Sequence, residues 1–110
     1  MDVSTREVDG ILVADLSGRL DTQTSGPASE ELSRIAQGDH RMILLNLEGL
    51  DFLSSAGLRV FLRTAKLLEG GDGILKLSGA RGAVKEVMEI SGFRDLLDLH
   101  DTEGEALASF

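Results

Sequence analysis

The chain has no cysteine, no tryptophan and no tyrosine, and its 110 residues include a single proline. Without a thiol there is no disulfide, no thiolate metal site and no cysteine nucleophile. The two histidines, His40 and His100, have no nucleophile or metal-ligand pattern around them, and isolated histidines of this kind carry no catalytic signal. No run of Lys and Arg interrupts an acidic background, in which 11 basic and 19 acidic side chains give a formal charge of −8. That balance argues against binding nucleic acid by phosphate neutralisation and against docking to an anionic membrane surface. A basic or mixed-charge protein partner matches it better. No apolar run approaches the length needed to span a bilayer, and the polar start from Met1 to Glu7 lacks the core of a secretion signal. The expectation is a soluble cytoplasmic protein with no direct membrane insertion. Gly70-Gly71-Asp72-Gly73 lacks the Lys-Ser/Thr of a phosphate loop and the spacing of a dinucleotide fingerprint, so it reads as a connector.

What is present is an ordinary globular mixture, 42% apolar and 27% charged, of a size that fits one domain over residues 1–110. Val3 to Glu7 reads as an edge strand, Asp9-Gly10 as a hairpin turn, and Ile11 to Ser17 as a strand stopped by Gly18. Arg19-Leu20-Asp21 is then a loop, and Thr24 is the expected N-cap of a helix that tolerates Pro27 in its first turn. Ala28, Leu32, Ile35 and Ala36 form its buried stripe, and Gly38 ends it. Met42 to Leu47 is too continuously apolar for a strand open to water, which predicts a central strand covered on both faces. Leu58, Phe61, Leu62, Ala65 and Leu68 predict a second helix with Arg59, Arg63 and Lys66 on another face. Ile74 to Ser78 is a further core strand. Val84, Val87, Met88 and Ile90 predict a short third helix, and Phe93 to Leu99 a loop entering a last short strand. Thr102 and Glu105 form the capping box of a terminal helix. The order β-β-α-β-α-β-α-β-α implies an α/β fold with a mixed, mostly parallel sheet of four to five strands and about four helices.

The segment from Asp51 to Arg59 is the most informative. A core strand passes through a short turn into Ser54 and Ser55, and a helix follows at once. Two hydroxyls therefore stand at a helix N-terminus, where free backbone N–H groups and the positive end of the dipole favour an oxygen cap or an anion. Simple helix capping is the plain reading of both serines; a phosphate would also be accommodated there. Gly57 allows close backbone packing or close approach of a partner. Arg59 lies four residues beyond Ser55 and reads either as a solvated surface charge or as a partner for a phosphate on Ser55. The acidic pairs Glu30-Glu31 and Asp101/Glu103 read as solvated helix starts.

Gly18-Arg19-Leu20-Asp21, Asn46-Leu47-Glu48-Gly49-Leu50, Phe52-Leu53-Ser54-Ser55-Ala56-Gly57-Leu58 and Ser91-Gly92-Phe93, in that order and spacing, resemble the STAS-domain family of bacterial anti-sigma factor antagonists over nearly the whole chain. The resemblance implies a non-catalytic binding protein. Its partner would be an anti-sigma factor with an ATP-dependent serine kinase domain, and a metal-dependent serine phosphatase would reverse the modification. ATP and magnesium belong to the kinase, and no cofactor is expected on this chain. Carried over by position, the acceptor is Ser55, with Ser54 the secondary candidate, and the loop aspartate is Asp21. Asp21, Asp51, Ser54, Ser55, Ala56, Gly57 and Arg59 are the expected partner-binding residues. Two positions depart from the familiar pattern: Ser54 stands where an aspartate often precedes the acceptor, and Ala56 where a second hydroxyl often follows it. The alternatives are a constitutive accessory subunit of a membrane lipid-transport ATPase complex, or a partner switch controlling secretion, motility or biofilm.

Overall fold

The computed structural model describes residues 1–93 and 96–110. Among the described residues nine elements follow one another: β1 (Asp2–Val8), β2 (Ile11–Leu20), α1 (Ser25–Ala36), β3 (Met42–Leu53), α2 (Ser55–Gly70), β4 (Ile74–Ser78), α3 (Gly82–Ile90), β5 (Asp98–His100) and α4 (Glu103–Ala108). The strands form one sheet in the order β1-β2-β3-β4-β5. β1 and β2 are antiparallel, and the other neighbours are parallel. Asp9 and Gly10 join the hairpin at φ +51° and +82°, the left-handed pair that a two-residue turn of this twist requires. The element order and the mixed sheet are those the sequence pattern predicts.

β3 is the central strand, and its apolar run is covered on both faces. Ile43, Leu45 and Leu47 join the main core with Leu32, Leu58, Phe61 and Leu68, whereas Leu44 joins a smaller cluster with Ile11, Val13 and Ala106 of α4. Alternation of side chains along a strand makes this division unavoidable.

Several boundaries differ from the sequence reading. Gly18 does not stop β2. It sits in the strand at φ +93°, at an irregularity of the β2–β3 register, and pairing resumes through Arg19↔Phe52 and Leu20↔Leu53. The same pairing carries β3 six residues past Leu47, so Asp51 and Phe52 are strand residues instead of a polar turn. Ile90 is 85% exposed, outside the core stripe of α3. Val84 and Met88 fill that stripe, and Ile90, six positions after Val84, points roughly 240° around the helix from it. The predicted loop from Phe93 to Leu99 includes residues 94 and 95, which lie outside the described residues. Among the described residues, no helix is long and apolar enough to cross a membrane.

Candidate functional site

The C-terminal ends of β2 and β3 lie side by side, the edge at which α/β sheets place their sites. β3 ends at Leu53 and α2 begins at Ser55, so one residue makes the junction. That residue, Ser54, has extended backbone angles (φ −97°, ψ 172°), and its hydroxyl accepts the Gly57 N–H at 3.3 Å. Ser54 is therefore the N-cap. Ser55 is the first helical residue; its side chain is exposed, and its hydroxyl makes no hydrogen bond among the described residues. Two adjacent serines thus have different tasks, one satisfying the helix end and one facing solvent.

The junction is held from below. The Ser54 N–H donates to the Leu20 carbonyl at 3.0 Å. Gly57 is buried, and a Cβ there would stand 2.6 Å from Leu53 Cδ1 and 2.8 Å from Leu20 Cγ. Of the two readings of Gly57, close packing is the one the geometry realises. Ala56 is half-buried and Arg59 is exposed beside the turn.

Asp21 follows directly on β2. Its Oδ1 accepts the Gln23 and Thr24 N–H groups, each at 3.0 Å, while Thr24 Oγ1 accepts the Asp21 N–H at 2.9 Å. The first helical bond, Ser25 N–H to the Asp21 carbonyl at 2.9 Å, also begins here. This reciprocal arrangement gives the capping task to Asp21; Thr24, the expected cap, already has helical angles and caps nothing with its side chain. The Thr24 N–H, with Gln23 assisting, holds the Asp21 carboxyl below the ordinary carboxylate range, and Arg19 at 3.7 Å acts in the same direction. Asp21 is accordingly an anion at neutral pH.

Asp51, unlike the half-buried Asp21, is exposed, and it looks elsewhere. Its Oδ1 lies 3.4 Å from the Arg81 guanidinium, which also donates to the Glu48 carbonyl at 2.6 Å. Phe52, the next residue along the strand, instead receives Arg19 over its ring at 4.3 Å. The serine turn is thus flanked by Asp21–Arg19 on the β2 side and Asp51–Arg81 on the α3 side. The sequence reading gave no role to Arg19, Arg81 or the Leu20 carbonyl. A D-x-x-T spacing signals the Asp21–Thr24 cap, whereas nothing local signals Arg81, which reaches Asp51 from 30 residues away and Glu48 from 33.

A family model for the STAS domain matches residues 2–106. The chain belongs to the STAS-domain family. BtrV of Bordetella bronchiseptica, a candidate anti-sigma factor antagonist, is 36% identical to this STAS domain over 110 residues, covering all of this chain and 95% of BtrV. The anti-sigma-B factor antagonist of Staphylococcus aureus is 29% identical over 101 residues, covering 92% of this chain and 94% of that one. Among solved structures, the anti-sigma factor antagonist SpoIIAA in its unphosphorylated form aligns with a TM-score of 0.77 at 27% identity, over 96% of this chain and 93% of SpoIIAA.

Away from the turn, a second polar group ties α4 to the sheet. Arg6 Nε lies 2.9 Å from Asp15 Oδ2 and the same guanidinium pairs with Glu103, which also accepts from the buried Asn46 amide at 3.0 Å. Glu103 is therefore a half-buried structural anion of this STAS domain, where the sequence suggested a solvated helix start.

Proposed function

We propose that this STAS domain is an anti-sigma factor antagonist whose hold on its partner is controlled by a phosphate on Ser55. The observation that carries the reading is the division of tasks at the turn. Ser54 is engaged in capping α2, whereas the Ser55 hydroxyl is exposed and unbonded among the described residues. The names of the BtrV and Staphylococcus aureus relatives support the antagonist role, and SpoIIAA, solved in unphosphorylated and phosphorylated forms, supports phosphate as the control.

The partner is an anti-sigma factor that is also a serine kinase and brings ATP and magnesium. Ser55 Oγ attacks the γ-phosphorus, its proton passes to a base on the kinase, and ADP leaves. A metal-dependent serine phosphatase hydrolyses the ester and restores the hydroxyl. The domain is the phosphate acceptor, without cofactor or catalytic residues of its own, and works in the bacterial cytoplasm. Asp21, Asp51 and the turn from Ser54 to Arg59 form the partner surface, with Gly57 acting from beneath.

A phosphoserine carries roughly −1.5 to −2 charges at neutral pH. At the first position of α2 the helix dipole favours that charge, so the fold is retained. A partner packed over the turn instead meets a hydrated dianion beside two carboxylates. Phosphorylation therefore changes affinity far more than structure.

Trypsin releases Met42 to Arg59 as one peptide, in which Ser54 and Ser55 supply the hydroxyls. Fragmentation mass spectrometry of this peptide from native cells, in growth and in stress, tests the reading. Phosphate on Ser55 with an occupancy that shifts between conditions supports the switch. Full coverage of the unmodified peptide under every condition overturns it in favour of a constitutive complex.

A further inference from the structure

α2 turns an outer face to solvent on which Arg59, Arg63 and Lys66 stand at i, i+4 and i+7, all exposed. None of the three makes an ion pair among the described residues, whereas Arg6, Arg19, Arg34 and Arg81 are each held by a carboxylate. Arg41, which donates to backbone carbonyls, and the exposed Lys85 also have no carboxylate partner among the described residues, but only on α2 do three such cations share one face. With these three set apart, the rest of the molecule has 8 basic against 19 acidic side chains, a balance of −11 where the whole has −8. The three cations border a shallow depression that also exposes parts of Leu62 and Leu67. Glu30 of α1 shares a neighbouring depression with Arg63 without forming an ion pair with it.

We propose that this face docks an acidic amphipathic segment of a protein partner, with carboxylates set against Arg59, Arg63 and Lys66 and apolar side chains over Leu62 and Leu67. Seven residues of helix place the outer cations roughly 10 Å apart along the axis. That length suits a partner helix bearing Asp or Glu on successive turns. The two arginines present planar forks that match carboxylates bidentately. Nucleic acid is a poor occupant, because its binding is built from many phosphate contacts and the rest of the domain repels it. An anionic bilayer rewards each nearby cation by about 1 kcal/mol, too little to hold a domain with a balance of −8 by three residues. The partly apolar depression selects for a protein segment.

The inference rests on the reading of the turn from Ser54 to Arg59 as partner surface, extends that surface along α2, and gives the helix a regulatory logic. Ser55 lies one turn before Arg59, so a phosphate there adds negative charge at the end of the stripe and repels the partner's carboxylates. Overall charge points to a basic or mixed partner; the contact face calls for a locally acidic one.

The test replaces Lys66 with a photocrosslinking benzoylphenylalanine in the full chain, expressed in its native bacterium, and maps the crosslinked residues at peptide level. A matching probe at Thr5, on the outer strand β1, is the control. The expected products at position 66 lie in protein segments rich in Asp and Glu with interspersed Leu-type residues. A synthetic peptide of the mapped segment is then expected to bind R63E/K66E about tenfold or more weakly than the natural chain at low salt. Reversing two of the peptide's carboxylates to lysine restores that binding. Products in non-acidic segments, in nucleic acid or in lipid overturn the proposal, as does an absence of products beyond the Thr5 control. Phosphopeptide analysis of the natural Ser55 chain, run beside the mapping, separates the two readings. Acidic products that persist in a chain never found phosphorylated keep the docking face and remove the switch. Phosphorylated Ser55 with non-acidic products at position 66 does the reverse.

Discussion

The Ser54 N–H donates to the Leu20 carbonyl at 3.0 Å, which joins the turn carrying Ser55 to the loop that begins with Asp21. Gly57 packs into the same joint against Leu20 and Leu53. Two segments of the proposed partner surface are thus joined by a backbone hydrogen bond and by shared packing.

Gly57→Ala tests that joint. Alanine improves helix propensity by up to about 1 kcal/mol, but its methyl group overlaps Leu53 and Leu20, and overpacking of this kind costs about 1–3 kcal/mol. The clash wins because both leucines are enclosed in the core. Urea denaturation is expected to show a lower midpoint, and Leu53→Val in the same chain to recover part of the loss.

The two serines separate cleanly by substitution. Ser54→Ala removes the α2 cap and is expected to lower stability by about 1 kcal/mol. Ser55→Ala, at an exposed position without a hydrogen bond, is expected to stay within about 0.5 kcal/mol while abolishing phosphate incorporation. Thermal melts paired with phosphate-affinity gels read both effects.

For Asp21, capping and charge can be told apart. Asp21→Asn keeps an oxygen for the Gln23 and Thr24 N–H groups, so α1 retains its start. Asp21→Ala loses that acceptor, and hydrogen exchange at the Thr24 amide is expected to accelerate. If the charge serves the partner, Asn weakens partner binding without changing the exchange rate.

The Arg6 guanidinium holds the Glu103 carboxyl below its ordinary value of 4.5; burial opposes this, and the Asn46 amide adds to it. A folded-state value depressed in this way stabilises the protein above 4.5, and that contribution is lost as pH falls through the depressed value. Glu103→Gln is therefore expected to flatten the dependence of the urea midpoint on pH below about 5. Asp21 and Asp98 are shifted in the same direction, so some slope remains.

Much of the fold was legible because its signals are local. The alternation of strand and helix patterns, the continuous apolar run of β3 and the Thr102 cap, which accepts the Glu105 N–H at 3.2 Å, need only neighbouring residues to be read. The strand ends were not legible. β3 continues past Leu47 because β2 pairs with it through Leu20↔Leu53, and Gly18, which reads as a stop, is absorbed as an irregularity in that ladder. Which face of α3 is covered is set by docking, and it is the Val84–Met88 face, from which the spacing of Ile90 turns it away.

The sequence by itself determined the order of elements, the covered central strand and the placing of Ser54 and Ser55 at a helix start, because periodicity and capping act over a few residues. Tertiary structure alone decided that Arg81 would meet Asp51 and that Leu20 would hold the serine turn, since those contacts join distant segments. It also decided that the α2 face bearing Arg59, Arg63 and Lys66, which helical spacing already groups, would stay open to solvent. Separated by Val60 to Leu62 and by Thr64 and Ala65, they show no basic run; helical spacing brings them to one face, and packing of α2 on its other side leaves that face uncovered.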